Sequence, residues 1–225
     1  MTNSAQVYNL LDDWSNIFLF VGNSMKPSQA QKTEDKRKLI LESGFDLVLR
    51  KGFVGVGLQE ILKNCNVPKG SFYHHFESKE AFGCTLLEHY IQDYQKRLQK
   101  LWANQHSAYE KLLSYFDAWI YDPEIQCGWA ETCLIVKLAA EVSDLSEDMR
   151  LIMDAGTKRL LNNIANLIEQ GTQEGSIHIQ VQALDVALVI YQMWLGAALL
   201  SKLQKEKTPL QQAMQATKFM LNRKF

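Results

Sequence analysis

Apolar residues recur at helical spacing along most of this chain, and this pattern limits its possible folds more than any other feature of the sequence. The alternation of apolar and polar residues that is typical of a strand is confined to a short run, Ser176 to Val181, between two helical stretches. In the second half of the chain the pattern predicts five helices, near residues 107–121, 127–143, 146–174, 182–204 and 208–223. We therefore expect an all-α fold.

The preceding segment has the pattern of a helix-turn-helix. Gly52 is a helix stop, Pro68 forces a turn because it excludes Val67 from the helical region, and Ser78 is a candidate N-cap. Between these signals the apolar spacing predicts three helices followed by a long one, near residues 36–51, 58–63, 69–76 and 79 to beyond 101. Two short helices joined by a tight turn behind a longer helix have helix-turn-helix geometry.

Charge is unevenly distributed between this segment and the rest of the chain. From Lys26 to Lys79 there are ten basic and six acidic residues, a balance of +4. The remaining fourteen basic and nineteen acidic residues give a balance of −5. A basic module carried on an acidic body is consistent with the binding of an anionic polymer such as nucleic acid.

Composition and motifs exclude several functional classes. No stretch approaches the roughly 18 apolar residues of a membrane span, and the apolar run Ile17–Val21 is too short for a signal peptide. We therefore expect a cytoplasmic protein without a membrane partner. The cysteines lack metal-site spacing and are expected to be free thiols; they are Cys65, Cys84, Cys127 and Cys133. The chain has no nucleophile elbow, phosphate-binding glycine loop or HExxH, so we expect neither an enzyme nor a cofactor.

These patterns divide the chain into three parts. Residues 1–32 are expected to form a flexible N-terminal extension, or to be included because an upstream start codon was assigned in error. The alternative is a short amphipathic helix, Tyr8–Phe20, that packs on the rest of the chain. Residues 33–80 form the predicted DNA-binding domain. Residues 81–225 form a second, larger helical domain.

The segment Gly52–Phe82, GFVGVGLQEILKNCNVPKGSFYHHFESKEAF, closely resembles the helix-turn-helix of the TetR family. That resemblance implies a transcriptional repressor that binds duplex DNA through its third helix. It assigns DNA contacts to these residues: Lys69, Gly70 and Ser71 at bases and backbone, Tyr73, His74 and Lys79 at phosphates, and Gln59 as a further contact. The alternative for each is a solvated polar side chain.

Three further points qualify this resemblance. Phe72 and Phe76 are expected in the core. Cys65-Asn66 replaces the usual Ala-Gly before the turn, and Gly57 stands where a Ser or Thr N-cap is common. Neither departure removes a DNA-contacting group, although the missing cap is expected to loosen the second helix.

Two downstream segments resemble the NemR-type group of the same family: residues 132–150, TCLIVKLAAEVSDLSEDMR, and 194–203, WLGAALLSKL. The resemblance implies a repressor released from its operator by reactive electrophiles or oxidants that modify Cys133. The sequence departs from the group at Glu131-Thr132, where the relatives tend to have Gly before the cysteine.

The residues around Cys133 leave its role open. Lys137 lies one helical turn further on, so its charge would lower the pKa of the thiol, and the resemblance suggests that Lys202 also approaches. A disulfide with Cys127 requires a bend near Gly128. The alternative is a buried structural cysteine. A non-covalent lipophilic effector in a pocket of aromatic and apolar side chains is the other possible mode of sensing; the candidates are Trp119, Trp129, Tyr191, Met193 and Trp194.

The last two predicted helices carry wide apolar faces, and Gly196, Ala197 and Ala198 permit close helix approach. In the TetR family this pair of helices forms the interface of a homodimer. A two-fold dimer would place its recognition helices about 34 Å apart, so a near-palindromic operator is expected. The sequence leaves repression and activation both open.

Overall fold

The computed structural model describes residues 29–103 and 105–222. Within them the chain is all-α, as predicted, with these helices: α1 (Gln29–Lys51), α2 (Leu58–Asn64), α3 (Lys69–His75), α4 (Lys79–Trp102), α5 (Ala108–Ile120), α6 (Trp129–Thr132), α7 (Leu134–Leu145), α8 (Glu147–Glu174), α9 (Ala183–Gln204) and α10 (Thr208–Leu221). The proposed helix Tyr8–Phe20 lies outside the described residues. Because α1 begins at Gln29, it includes the last residues of the predicted extension.

Helices α1 to α3 and the start of α4 surround an aromatic core. Phe72 packs 5.2 Å from Phe76 and 5.7 Å from Phe82, measured between ring centroids, and all three are buried. A Cβ at Gly44 would lie 2.3 Å from the Phe82 ring, so a glycine lets α1 pack closely against α4. The prediction that Phe72 and Phe76 belong to the core is confirmed.

The helix ends in this region follow the signals in the sequence. Gly52 ends α1 with φ +79°, a conformation that favours glycine, and Asn66 after α2 has φ +52°. The Ser78 hydroxyl accepts from the backbone N–H of Ala81 at 3.0 Å and caps α4, as predicted. Gly57 provides no side-chain cap for α2.

The larger helical domain is built around α8, which packs against α4, α5, α7 and α9, while α9 also packs against α10. Its core is aromatic: Trp194 stacks on Phe116 at 4.6 Å and donates to the Thr217 hydroxyl at 2.9 Å. Trp119 and Trp194 are fully buried. Since α4 contacts both α1 and α8, it joins the two domains.

One expectation about these helices is corrected. The helix predicted at 127–143 is divided at Cys133, whose ψ of 114° is extended, into α6 and α7. The alternating run Ser176–Val181 forms an isolated bridge, between His178 and Asn222, and no strand. Among the described residues one helix, α9, is long and apolar enough to cross a membrane by length and composition alone. A core helix gives the same signal, and α9 packs against α8 and α10.

Candidate nucleic-acid interface and buried thiol site

Helix α3 buries one side and presents the other to solvent. Its buried side is Phe72, which anchors it to α4. Most of the residues assigned to DNA contact are exposed, with Tyr73 at 53% exposure and Ser71 half-buried; the exposed ones are Gln59, Lys69, Gly70, Tyr73 and His74. These side chains are therefore available to a macromolecular ligand, and their contact with DNA stays a prediction.

Lys79 has an internal partner. Its ammonium donates to the Phe53 carbonyl at 2.8 Å and lies 4.8 Å from the centroid of the Phe53 ring. Burial lowers the pKa of Lys79, and the nearby Glu141 partly opposes that effect. The side chain thus holds the loop between α1 and α2, and the phosphate contact expected of it remains untested.

Two side chains of α7 hold the same loop. The Glu141 carboxylate accepts from the backbone N–H of Phe53 at 3.1 Å and from that of Val54. The Lys137 ammonium donates to the Arg50 carbonyl at 3.1 Å, at the end of α1. We call Lys137 and Glu141 the α7 clamp. It ties the helix-turn-helix to the larger helical domain.

Glu141 is not among the residues predicted from the sequence, although its spacing gives a signal. Cys133, Lys137 and Glu141 are spaced four residues apart, which places them along one side of a helix. The loop backbone also has to approach the carboxylate: a Cβ at Gly52 would lie 2.8 Å from Glu141 Oε2. Gly52 is therefore required here for its positive φ, and an added Cβ would also displace the Glu141 carboxylate from the loop.

Cys133 lies at the break between α6 and α7, and only 2% of its surface is exposed. Burial raises the pKa of its thiol. The backbone N–H of Val136, the Tyr90 hydroxyl, the backbone N–H of Ile135 and the Lys202 ammonium act in the opposite direction. The thiol is thus a poor nucleophile at rest, surrounded by groups that favour its anion.

A small cavity adjoins this thiol. Its volume is about 30 Å³, and Tyr90, Tyr94, Tyr191 and Gly156 are among its lining residues together with Cys133. The cavity has room for about one water molecule. It does not fit a drug-sized molecule, which needs a pocket of roughly 300 Å³ or more.

The three predicted partners of Cys133 have different surroundings in the structure. Lys202 is half-buried and close enough to Cys133 for each to shift the other's pKa; burial lowers the pKa of Lys202 and Cys133 opposes this. Lys137, expected to lower the pKa of the thiol, donates to α1 instead. Cys127 is a free thiol whose pKa is raised to about 11, mainly by burial.

Three other features concern the remaining cysteines, metal binding and the aromatic residues considered for a ligand pocket. Cys65 and Cys84 are half-buried free thiols whose pKa values are raised, chiefly by burial. The described residues contain no group of three or more His, Cys, Asp or Glu side chains able to hold a metal ion. Trp119, Trp129, Tyr191 and Trp194, proposed as pocket residues, are buried in the core.

Comparison with known proteins identifies both domains. Residues 40–82 match the family model described as bacterial regulatory proteins, tetR family, and residues 108–217 match the tetracyclin repressor-like C-terminal domain. The HTH-type transcriptional repressor NemR of Escherichia coli K12 is 40% identical over 181 residues, which are 80% of this chain and 90% of NemR. The repressor DhaR of a Mycobacterium species is 30% identical over 78% of this chain and 87% of its own length.

Solved structures agree with these matches. The crystal structure of a putative TetR/AcrR family transcriptional regulator is 62% identical, with a TM-score of 0.77, covering 84% of this chain and 100% of that one. The reduced form of E. coli NemR is 39% identical with a TM-score of 0.75, covering 83% of this chain and 97% of that one.

Proposed function

Because the chain belongs to the TetR family of bacterial transcriptional repressors, we propose that it leaves its operator when a reactive electrophile or oxidant modifies Cys133. Its relatives are DNA-binding transcriptional regulators of this family and not enzymes. TetR-family repressors act as dimers that bind DNA and respond to small molecules. One observation carries the proposal: Cys133 stands at the start of the helix whose clamp holds the helix-turn-helix.

The DNA-bound state uses the exposed side of α3. Lys69, Gly70 and Ser71 at its N-terminus enter the major groove, where the helix end is oriented toward bases and phosphates. Tyr73 and His74 contact phosphates. Gln59 and Lys79 add contacts from α2 and from the start of α4. Support comes from the exposure of most of these side chains on a module fixed by the buried Phe72.

Two copies of the chain are required for this binding mode. Several large apolar side chains of α9 and α10 are exposed in one copy, namely Val189, Leu199, Leu200, Leu203 and Phe219. Packing α9 and α10 against the same helices of a second copy would cover them. The two-fold axis then places two α3 helices about one DNA turn apart on a near-palindromic operator.

The chemical step begins with the Cys133 thiolate. With N-ethylmaleimide the sulfur adds to one alkene carbon, a C–S bond forms, and the other carbon takes a proton from solvent. Hypochlorous acid instead transfers its oxygen to the thiolate, which gives a sulfenic acid and chloride. Attack on that sulfur by the Lys202 amine or by another thiol then forms an S–N or S–S bond, and water leaves. Either product is larger than the thiol it replaces, and a cavity of about 30 Å³ leaves it little room.

Relief of that crowding moves the N-terminus of α7 and with it the α7 clamp. Lys137 and Glu141 then release or displace the loop between α1 and α2, so the recognition helices lose the spacing that DNA requires. The long helix α4, which contacts both domains, carries the same motion. A hundredfold loss of DNA affinity requires about 2.8 kcal/mol of coupling between the two sites.

The protein acts in the cytoplasm, where its DNA lies, without a membrane partner. Its relatives are bacterial transcriptional regulators. The apolar face of α9 is explained by the core and by the dimer.

A DNA-binding titration tests the proposal. Fluorescence anisotropy with the chain's own upstream DNA at fixed salt is measured before and after treatment with N-ethylmaleimide. We expect tight binding that alkylation removes in the natural protein and in a variant with Cys65, Cys84 and Cys127 changed to Ser. Cys133→Ser should bind DNA and resist the reagent. If N-ethylmaleimide releases Cys133→Ser from DNA, a residue other than Cys133 senses the reagent.

A further inference from the structure

A second cavity lies between α6, the end of α9 and the turn before α10. Its volume is about 250 Å³ and it is open to solvent. Three lysines and two glutamates line it: Lys202, Lys205, Lys207, Glu131 and Glu206. With Lys202 as the ammonium these charges sum to +1, and with Lys202 as the neutral amine they sum to zero. An anion is therefore attracted here by local contact with Lys205 and Lys207 and not by net charge.

Part of this charge is already paired. The Lys207 ammonium lies 3.9 Å from a Glu131 carboxylate oxygen and 5.0 Å from the centroid of the Tyr121 ring. Glu131 also accepts from the backbone N–H of Gly128 at 3.0 Å. Glu206 accepts from the Thr208 hydroxyl at 3.4 Å. Among the described side chains, neither Lys202 nor Lys205 forms an ion pair with a carboxylate.

Lys202 differs from the other two lysines in its surroundings. Lys205 and Lys207 are exposed, whereas Lys202 is half-buried between the cavity and Cys133. Burial lowers the pKa of Lys202 and so increases the share of neutral amine at neutral pH. A neutral lysine amine that faces an open cavity is a nucleophile for carbonyl compounds.

We propose that Lys202 forms a Schiff base with small aldehyde or 2-oxo acids, whose carboxylate is held by Lys205 and Lys207 at the mouth of the cavity. The Lys202 nitrogen lone pair attacks the carbonyl carbon and a carbinolamine forms. The C–O bond then breaks, water leaves with the former carbonyl oxygen, and a C=N bond remains. The reaction needs no oxidant or reductant and does not use the Cys133 thiol.

Reductive trapping with glyoxylate tests this site. The full-length protein is incubated with glyoxylate and cyanoborohydride, which delivers hydride to the imine carbon and leaves a carboxymethyl group on the amine. Peptide mass mapping then compares Lys202 with Lys96 and Lys158, two exposed lysines in other helices. We expect preferential labelling of Lys202, and labelling no faster than at Lys96 and Lys158 would overturn the proposal.

Variants separate the amine from the anion site. Lys202→Arg keeps the charge and should abolish labelling at this position, while Cys133→Ser should retain it. Changing Lys205 and Lys207 to Gln should slow labelling of Lys202 by glyoxylate about fivefold, as loss of attraction to exposed charges predicts, and leave labelling by neutral acetaldehyde unchanged. If labelling by both aldehydes becomes slower by the same factor, Lys205 and Lys207 do not hold the carboxylate. Because mass is the readout, these results do not depend on DNA release by Cys133.

Discussion

The environment of Cys133 determines when it reacts. Burial alone would make it an inert core cysteine, the alternative that the sequence left open. Its position at the start of α7, beside the Tyr90 hydroxyl and the Lys202 ammonium, supplies groups that stabilise a thiolate once it forms. At this scale the site is a balance between desolvation and local charge.

That balance predicts a pH dependence of alkylation. Burial raises the pKa of the Cys133 thiol above its ordinary value, and only the deprotonated form attacks. The rate of reaction with N-ethylmaleimide should therefore rise about tenfold per pH unit from neutral pH upward. Lys202→Gln should lower the alkylation rate at each pH, because the thiolate loses a neighbouring cation. Lys205→Gln, at the exposed end of α9, should have little effect on this rate. Stopped-flow measurements on a variant with Cys133 as its single cysteine give these rates; a plateau below pH 8 would contradict the raised pKa.

Lys69 tests the DNA interface one side chain at a time. Lys69→Ala should weaken binding to all sequences, because its contact with the phosphate backbone carries no sequence information, and the loss of its base contact should add a further decrease at the operator. The slope of log affinity against log salt should become shallower by about 0.9 for each copy in the dimer. Anisotropy titrations over a range of salt measure this slope. Lys96→Ala on α4 is the control, and an unchanged slope for Lys69→Ala would place Lys69 outside the interface.

At the scale of elements, α7 contains both the thiol at its start and the clamp further along. The division of one predicted helix into α6 and α7 makes this arrangement possible, since it leaves Cys133 at a helix N-terminus. The clamp is anchored on backbone groups, which side-chain variation in the loop does not remove.

Loss of the clamp should uncouple sensing from DNA binding. In Glu141→Ala the two backbone N–H groups of the loop lose their acceptor. We expect N-ethylmaleimide to modify Cys133 at the normal rate in this variant, by mass spectrometry, while DNA affinity changes far less than in the natural protein. Asp144→Ala, which removes an exposed carboxylate from the same helix, should respond normally. If N-ethylmaleimide releases Glu141→Ala fully from DNA, another route, such as α4, is sufficient to couple Cys133 to the helix-turn-helix.

Gly128 is required where the chain enters α6. A Cβ at this position would lie 2.3 Å from the Trp119 carbonyl oxygen and 2.7 Å from that of Ile120, and backbone atoms cannot move aside cheaply. Gly128→Ala should therefore lower the free energy of unfolding by about 1–3 kcal/mol. Urea denaturation at one fixed protein concentration measures the change. Gly57→Ser, where the added Cβ meets no atom within 4 Å, should change stability by only a few tenths of a kcal/mol and serves as the control.

At the scale of the whole molecule, binding depends on two copies acting together. A single helix-turn-helix module binds weakly, and linking two modules raises avidity by about 10²–10⁴. The exposed leucines of α9 are where that link is expected, since one copy leaves them uncovered.

Disruption of this face should give a monomer that binds DNA poorly. Leu199 and Leu203 lie one helical turn apart and are 52% and 71% exposed. Changing both to Glu should yield a folded monomer whose DNA affinity is lower by about a hundredfold or more. Sedimentation equilibrium and circular dichroism measure assembly and folding. Val181→Glu, a change at an apolar residue that is 63% exposed outside α9, should remain dimeric; a dimeric double variant would place the interface elsewhere.

The sequence by itself determined the helical class, the helix-turn-helix and its ends. Those features rest on local signals: apolar spacing, Gly52 at a positive φ, the Pro68 turn and the Ser78 cap. It also indicated the buried role of Phe72, because a helix in a small module must bury one side. The family resemblance pointed to Cys133.

The tertiary structure decided what surrounds these residues. The contact between Glu141 and Phe53 joins positions 88 residues apart, and no local pattern encodes such a pairing. Lys137 appeared suited to the thiol by its spacing, yet it donates to the Arg50 carbonyl at the end of α1, and Lys202 from α9 lies near the sulfur instead. The break at Cys133 escaped prediction for the same reason: helical periodicity continues through it, while burial and the packing of α6 and α7 determine where the helix is interrupted.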